Sequence, residues 1–213
     1  MENVLALKAQ ACYTVFRKKE EEKGMTKTKA LSVRETALCG LFAALTAAGA
    51  FIRIDLPVQP FPMHFTLQIF FALLSGFILG PRLGAVSVGI YLAVGLVGIP
   101  VFAAGGGPAY LIRPTFGFLL GFLFAAWLAG KISRMGRRTS LARNICAAVV
   151  GMGAYYLSGI LYFYFISNYV ISMPVTWALV LVNCFILTAA GDLVLSILAA
   201  MLAVRLRAAV DFM

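Results

Sequence analysis

Apolar residues run along this chain in long stretches that charged residues interrupt only at intervals. Runs without a charged side chain cover residues 36–52, 56–81, 83–112, 114–130 and 144–191. A helix that crosses a membrane needs roughly 20 mainly apolar residues, and each of these runs approaches or exceeds that length. The pattern predicts six membrane-spanning helices, at about residues 32–52, 63–79, 84–99, 114–130, 141–167 and 190–206.

The segment after Pro174 is too long for one straight span. A continuous helix from Pro174 to Arg205 would measure about 48 Å, whereas the hydrocarbon core of a bilayer is roughly 30 Å thick. We place a break at residues 188–192, so that residues 177–187 lie along or dip into the outer side of the membrane. The last span then begins near Gly191, with Asp192 in its first turn, where a helix N-terminus favours a carboxylate.

The composition agrees with a membrane protein. Hydrophobic residues make up 62% of the chain and charged residues 12%, and the charged fraction of a soluble domain is about twice as large. We therefore predict an all-α, polytopic membrane protein. It has a polar leader at 1–30, a six-helix membrane domain at 31–207 and a short tail at 208–213.

The net charge of +10 is distributed unevenly between the two sides of the predicted membrane domain. If the N-terminus is inside, all of the 18 Lys and Arg residues except Arg53 and Arg113 lie on the inner side. This asymmetry is the positive-inside rule, and it places both termini in the cytoplasm. The basic excess is thus an orientation signal, with some attraction to anionic membrane lipid, and we expect no nucleic-acid partner.

Small residues recur four apart on the first predicted span. One line is Cys39, Ala43 and Ala47, and the next is Gly40, Ala44 and Ala48. Small residues at this spacing let another helix approach closely. The sequence leaves two interpretations open: packing inside the bundle, or a docking face for another membrane subunit formed by Ala43, Ala44, Ala47 and Ala48.

Asp192 is the only acidic residue within the apolar body of the chain. An ionisable group at membrane depth is costly and is usually functional, although helix capping is the structural alternative. A buried carboxylate accepts hydrogen bonds, so a ligand with paired N–H donors would suit it.

Other reactive side chains indicate no enzyme chemistry, metal or cofactor. Cys12, Cys39, Cys146 and Cys184 are far apart, and we expect buried small residues rather than ligands or disulfides. His64 is the only histidine. It follows the proline-rich stretch of an outside loop at 53–65, which is a candidate lid, and we expect a polar surface residue.

A glycine-rich loop joins the third and fourth spans on the outer side. It contains Gly105, Gly106 and Gly107, and it carries Arg113 in a region otherwise free of charge from Leu83 to Leu128. Glycine lets the backbone turn tightly or approach a ligand closely. Arg113 is either an anchor at the membrane interface or a partner for a ligand carboxylate.

Several motifs resemble the BioY biotin transporters. The central one runs Gly98-Ile-Pro-Val-Phe-Ala, Gly105-Gly-Gly-Pro-Ala-Tyr110 and Pro114-Thr-Phe-Gly-Phe-Leu-Leu-Gly-Phe122. Further similarities are Pro60-Phe-Pro-Met-His-Phe-Thr-Leu-Gln68, Leu79-Gly-Pro-Arg-Leu-Gly84, Tyr91 and Gly191-Asp192. The resemblance covers about residues 32–207.

The resemblance implies a substrate-capture (S) component of an energy-coupling factor (ECF) transporter in the plasma membrane of a prokaryote. Its partners would be biotin, a transmembrane coupling subunit and two ABC-type ATPase subunits, since the chain has no nucleotide-binding motif of its own. Asp192 is expected to bind the ureido ring of biotin. The expected ligand-binding residues are Asp192, Gly105, Gly106, Gly107, Tyr110, Arg113 and Thr115.

The chain departs from the family pattern at two places. Ala190 and Leu195 replace the family's proline and lysine around Gly-Asp, and Arg113 replaces a frequent glycine. We therefore hypothesise that Arg113 supplies the cation for the biotin valerate.

Three alternatives remain: an S-component for another vitamin, a stand-alone secondary transporter with Asp192 as a proton site, and an intramembrane enzyme using Asp192 and His64.

Overall fold

The computed structural model describes residues 31–56, 63–136 and 140–210. The chain divides into two compact units, Met1–Arg34 and Glu35–Met213. Only residues 31–34 of the first unit are described, so the predicted leader at 1–30 lies outside the described residues. Residues 57–62 of the predicted lid lie outside them as well.

The helices and strands follow the predicted spans closely in most of the chain. Their order is α1 (Val33–Phe51), β1 (Arg53–Leu56), β2 (Met63–Thr66), α2 (Gln68–Leu79), α3 (Pro81–Leu96), a 3₁₀ helix (Pro108–Ile112), α4 (Phe116–Ser133), α5 (Leu141–Phe165), a first π-helical turn (Ile166–Val170), α6 (Trp177–Leu181), a second π-helical turn (Val182–Ile186) and α7 (Ala189–Val210).

A short β-hairpin corrects the all-α prediction. Strands β1 and β2 pair antiparallel, in a register that runs from Arg53 opposite Thr66 to Leu56 opposite Met63. Both strands alternate polar and apolar residues, the period of two that is typical of a strand. The second span therefore begins at Gln68, after the strand, rather than at the predicted residue 63.

Helix α2 lies at the centre of the bundle. It packs against α3, α4 and α7, while α4 also packs against α3 and α5. The backbones of α2 and α4 are in direct contact at Gly76. A Cβ atom at this position would lie 2.1 Å from the carbonyl oxygen of Ala126. Small residues thus allow the central helices to approach more closely than larger side chains would permit.

The predicted break in the last third of the chain is present, but it lies at residues 187–188 rather than at 188–192. The second π-helical turn ends at Ile186, residues 187–188 form a turn, and α7 begins at Ala189 with Asp192 in its first turn. Asn168 closes the preceding α5–α6 connection, since its side chain donates to Tyr164 O and Val175 O and accepts from Val175 N.

Within the described residues, three helical segments are long and apolar enough to cross a membrane: Phe116–Ser133, Leu141–Val170 and Ala189–Arg207. Shorter apolar helices of the described chain are Gln68–Leu79, Pro81–Leu96 and Trp177–Ile186. The protein is thus a mostly helical membrane protein, and the division into six spans stays a prediction.

Candidate ligand-binding site

A central cavity lies among the hairpin, the 3₁₀ helix, α4 and α5. Its volume is about 40 Å³, which is room for a few water molecules. Polar residues cluster on the side of the hairpin and the 3₁₀ helix, and aromatic residues on the side of α4 and α5. The lining residues are His64, Thr66, Gln68, Ala103, Tyr110, Thr115, Phe118, Leu119, Phe122 and Tyr155.

The polar side of the cavity is held by a chain of hydrogen bonds. Thr66 Oγ1 donates to Gln68 Oε1 over 3.2 Å, and Gln68 Nε2 donates to the hydroxyl of Tyr91 on α3. At the junction of β2 and α2, the Leu67 N–H lies within hydrogen-bonding distance of Gly49 O and Ile52 O. The hairpin, α2 and α3 are therefore tied together directly at the cavity.

The aromatic side offers a flat surface. Tyr155 of α5 stacks on Phe122 of α4, with 5.1 Å between ring centroids and 8° between ring planes. Phe118 lies against the same tyrosine at 5.2 Å. Such a wall suits the apolar faces of a compact ring system, while the polar side supplies hydrogen bonds that fix its orientation.

Asp192 lies beside the cavity rather than among its lining residues. It is 3% exposed, and its Oδ2 accepts a 2.5 Å hydrogen bond from the hydroxyl of Tyr156, the neighbour of the cavity residue Tyr155. The Tyr156 hydroxyl is also 2.9 Å from Thr188 Oγ1. The start of α7 and the middle of α5 are thus joined by a buried polar network.

Gly191 allows the hairpin to approach this network. A Cβ atom at Gly191 would lie 2.6 Å from the ring of Phe65 on β2. The Gly-Asp pair therefore combines a close contact to the hairpin with a buried carboxylate one residue later.

The three consecutive glycines shape the loop that carries Tyr110. Gly105 and Gly107 have φ angles of +113° and +100°, which side-chain-bearing residues rarely adopt. A Cβ atom on Gly106 would lie 2.3 Å from Ile99 O, and Gly107 N–H donates to Gly95 O over 2.8 Å. None of the three lines the central cavity as described, so direct contact with a ligand stays a prediction for them.

Tyr110 and Thr115, two other predicted site residues, do line the central cavity. Tyr110 is buried, and burial raises the pKa of its hydroxyl. The phenol therefore stays protonated and can donate a hydrogen bond to a ligand.

Arg113 lies at an outer cleft that adjoins the central cavity. The cleft has a volume of about 420 Å³ and is lined by His64, Ala109, Ile112, Arg113, Pro114, Thr115 and Ile171. His64 and Thr115 line both spaces, so the cavity and the cleft meet at these side chains. The guanidinium carbon of Arg113 lies 5.2 Å from the ring centroid of Tyr110, which is a cation–π distance.

His64 is absent from the predicted ligand-binding residues, as are Thr66, Gln68 and the aromatic residues of α4 and α5 that line the cavity. We expected a polar surface residue, but the side chain is only 17% exposed and it borders both the cavity and the cleft. The alternation of β2 is the one signal that could have found it, because His64 and Thr66 are two residues apart and share a face of the strand.

The two lines of small residues on α1 have different surroundings. Cys39 and Ala43 are buried, whereas Gly40, Ala44 and Ala48 are exposed. A groove of about 530 Å³ runs along this helix beside α3, lined by Gly40, Ala43, Ala44, Ala47, Ala48, Phe51, Ile90, Tyr91, Val94 and Val101. Part of the small-residue pattern therefore serves internal packing, and the rest faces an open apolar groove.

The prediction that the cysteines are buried is confirmed for two of the three described cysteines. Cys39 and Cys184 are buried, but Cys146 is exposed. Cys12 lies outside the described residues.

The helical bundle with a cavity beside a β-hairpin has the fold of a membrane-embedded S-component. A solved structure, the S-component for biotin from an ECF-type ABC transporter, matches with a TM-score of 0.69 at 25% identity, over 86% of this chain and 94% of that one. The family model described as BioY family matches residues 23–212. The chain therefore belongs to the BioY family.

Curated relatives agree with this assignment over most of their length. A probable biotin transporter BioY of Lysinibacillus sphaericus is 39% identical over 84% of this chain and 89% of its own. The biotin transporter BioY of Thermotoga maritima is 34% identical over 82% of this chain and 96% of its own.

Proposed function

We propose that this chain is the S-component that captures biotin for an ATP-driven ECF transporter in the plasma membrane of a prokaryote. The observation that carries the proposal is the combination of BioY family membership with a cavity that presents Tyr110, Thr115 and aromatic rings next to the buried Asp192. No covalent chemistry is needed, because the task is to bind biotin outside and release it inside.

We infer that α1, α2, α3, α4, α5 and α7 cross the membrane and that both termini are cytoplasmic. The positions of the basic side chains support this topology. Arg134, after α4, donates to Ile78 O over 3.2 Å, and Arg207 of α7 donates to Phe77 O. Both cations thus meet the negative end of the α2 dipole, at the end of the bundle opposite to the hairpin.

In the proposed complex the ligand fills the central cavity and the outer cleft together. The cavity alone, at about 40 Å³, is too small for a drug-sized molecule, whereas the cleft of about 420 Å³ falls within the usual range of roughly 300–1,000 Å³. The lining side chains must therefore move apart to admit the ring system. The assigned contact with Asp192 requires that this movement also bring the Tyr156–Asp192 network within reach of the ligand.

The two ends of biotin are assigned to different residues. Asp192 accepts from the paired N–H groups of the ureido ring, and Tyr110 and Thr115 contribute hydrogen bonds from the 3₁₀-helix side. The glycine run, Gly105–Gly107, allows the backbone of the loop to approach the ligand closely. Arg113 supplies the positive charge for the valerate, because its side chain lines the cleft that meets the central cavity at His64 and Thr115.

Coupling to the rest of the transporter is proposed to use the groove on α1. Ala44, Ala47 and Ala48, with the buried Ala43 lining the groove beside them, offer a smooth apolar surface that a helix of the transmembrane coupling subunit can approach closely. That subunit would connect the S-component to two ABC-type ATPase subunits.

Binding of purified protein to a panel of vitamins tests the proposal. Titration with biotin, dethiobiotin, thiamin and riboflavin is expected to give clear preference for biotin. A preference for thiamin or riboflavin would instead indicate an S-component for another vitamin. Biotin uptake by proteoliposomes without ATP or coupling subunits would favour a stand-alone transporter, with Asp192 as the proton site.

A further inference from the structure

The imidazole of His64 is held in place from one side by the hairpin. Asp55 of β1 lies directly opposite His64 of β2 in the strand register. The His64 Nδ1–H donates to Asp55 Oδ1 over 2.6 Å, and Arg53 Nε lies 3.3 Å from the same oxygen. The Asp55 side chain is 59% exposed and that of His64 only 17%, so the ring points away from the solvent that reaches its partner.

The bond to Asp55 determines what the rest of the ring can do. Because Asp55 accepts from Nδ1, Nε2 is the ring atom that is left for a ligand. A protonated imidazole donates from both nitrogens. It can therefore bridge Asp55 and a second carboxylate that enters the junction of the cavity and the cleft.

The charges around His64 favour an anion at this junction. The nearby charged side chains of the described chain are Arg53 and Asp55 on β1 and Arg113 beyond the 3₁₀ helix. Arg53 balances Asp55, whereas Arg113 has no ion-pair partner within residues 31–56, 63–136 and 140–210. The side of the junction that faces the cleft is thus net positive.

We propose that His64 is a specificity-determining residue that binds the carboxylate of the ligand through Nε2, with Asp55 as the positioning residue for its ring. The inference rests on the proposed function, since biotin carries N–H donors at one end and a carboxylate at the other. Asp192 and His64 then hold opposite ends of the ligand, and the cleft favours a ligand whose side chain ends in a carboxylate over one whose side chain is neutral.

A comparison of biotin with biotinamide, in which a carboxamide replaces the carboxylate, separates this role from a structural one. His64→Gln is expected to weaken biotin binding about tenfold, the effect of one charge-assisted hydrogen bond, and to leave biotinamide binding unchanged. Equal losses for both ligands, or no loss for either, would overturn the proposal. A parent protein that binds neither ligand would contradict the proposed function itself.

Asp55 is tested through its dependence on His64. Asp55→Asn is expected to weaken biotin binding several-fold in the parent and to have no effect in the His64→Gln background, because residues that act through one another are not additive. Additive losses would show that Asp55 does not act by positioning His64.

Discussion

Replacing Asp192 with asparagine removes one negative charge from the buried network and keeps the size of the side chain. In the structure, Asp192 Oδ2 accepts from the Tyr156 hydroxyl at 2.5 Å. Thr188 Oγ1 lies 2.9 Å from that hydroxyl and 2.9 Å from Cys184 O, so the Thr188 proton has two alternative acceptors. The Tyr156 hydroxyl gives its own proton to the carboxylate, which keeps further lone pairs for a ligand.

The magnitude follows from what the network can rearrange. In Asp192→Asn, the new side-chain amide can donate to the Tyr156 oxygen while Tyr156 donates to Thr188, so no buried polar group loses its partner and the fold should be retained. The ligand, however, then meets one neutral oxygen in place of a carboxylate. Losing a charged acceptor costs about 1.5–3 kcal/mol, which corresponds to roughly ten- to hundredfold weaker biotin binding.

Isothermal titration of detergent-purified protein measures this change, and thermal unfolding of the same samples reports the fold. Tyr156→Phe should also weaken binding, because Asp192 loses the hydrogen bond that orients it. Tyr169→Phe is the matched control, since Tyr169 is 74% exposed. Asp192→Asn protein that binds biotin within about twofold of the parent would refute a direct role of the carboxylate.

Three further substitutions test other parts of the structure. Arg113→Gln should weaken biotin binding about tenfold but leave biotinamide unaffected in the same titration; equal effects would argue for a membrane anchor. Gly76→Ala should destabilise the bundle by roughly 1–3 kcal/mol in thermal unfolding, because its Cβ would lie 2.1 Å from a backbone oxygen of α4. Gly89→Ala, where nothing lies within 4 Å, should be nearly neutral, and equal effects would contradict the packing argument. Ala44→Leu should reduce ATP-driven uptake in proteoliposomes without changing biotin binding. Ala142→Leu, on an exposed part of α5, should change neither uptake nor binding. Normal uptake by Ala44→Leu would exclude the groove as the docking face.

The sequence by itself determined the class of protein, the approximate helices and the break before α7. These features can be predicted from consecutive residues alone. The length of an apolar run and the positions of the charged residues that bound it are visible without knowing any tertiary contact. The same holds for the family motifs. The glycine run and Gly191-Asp192 could be recognised by their order and spacing without knowledge of what they touch.

The site itself depends on contacts between residues that are distant in the chain. Tyr156 and Asp192 are 36 residues apart, and nothing in the periodicity of either helix indicates that they meet. Only strand pairing and tertiary packing place His64 opposite Asp55 and at the cavity.

The small-residue lines on α1 show the same division between the two sources of information. Their spacing predicted close approach of another helix but could not tell which partner, because packing inside the bundle and docking outside it require the same residue types. Tertiary structure decided that Cys39 and Ala43 are buried while Gly40, Ala44 and Ala48 face a groove. Local sequence thus specifies which surfaces can pack, and only the assembled bundle specifies which of them remain open.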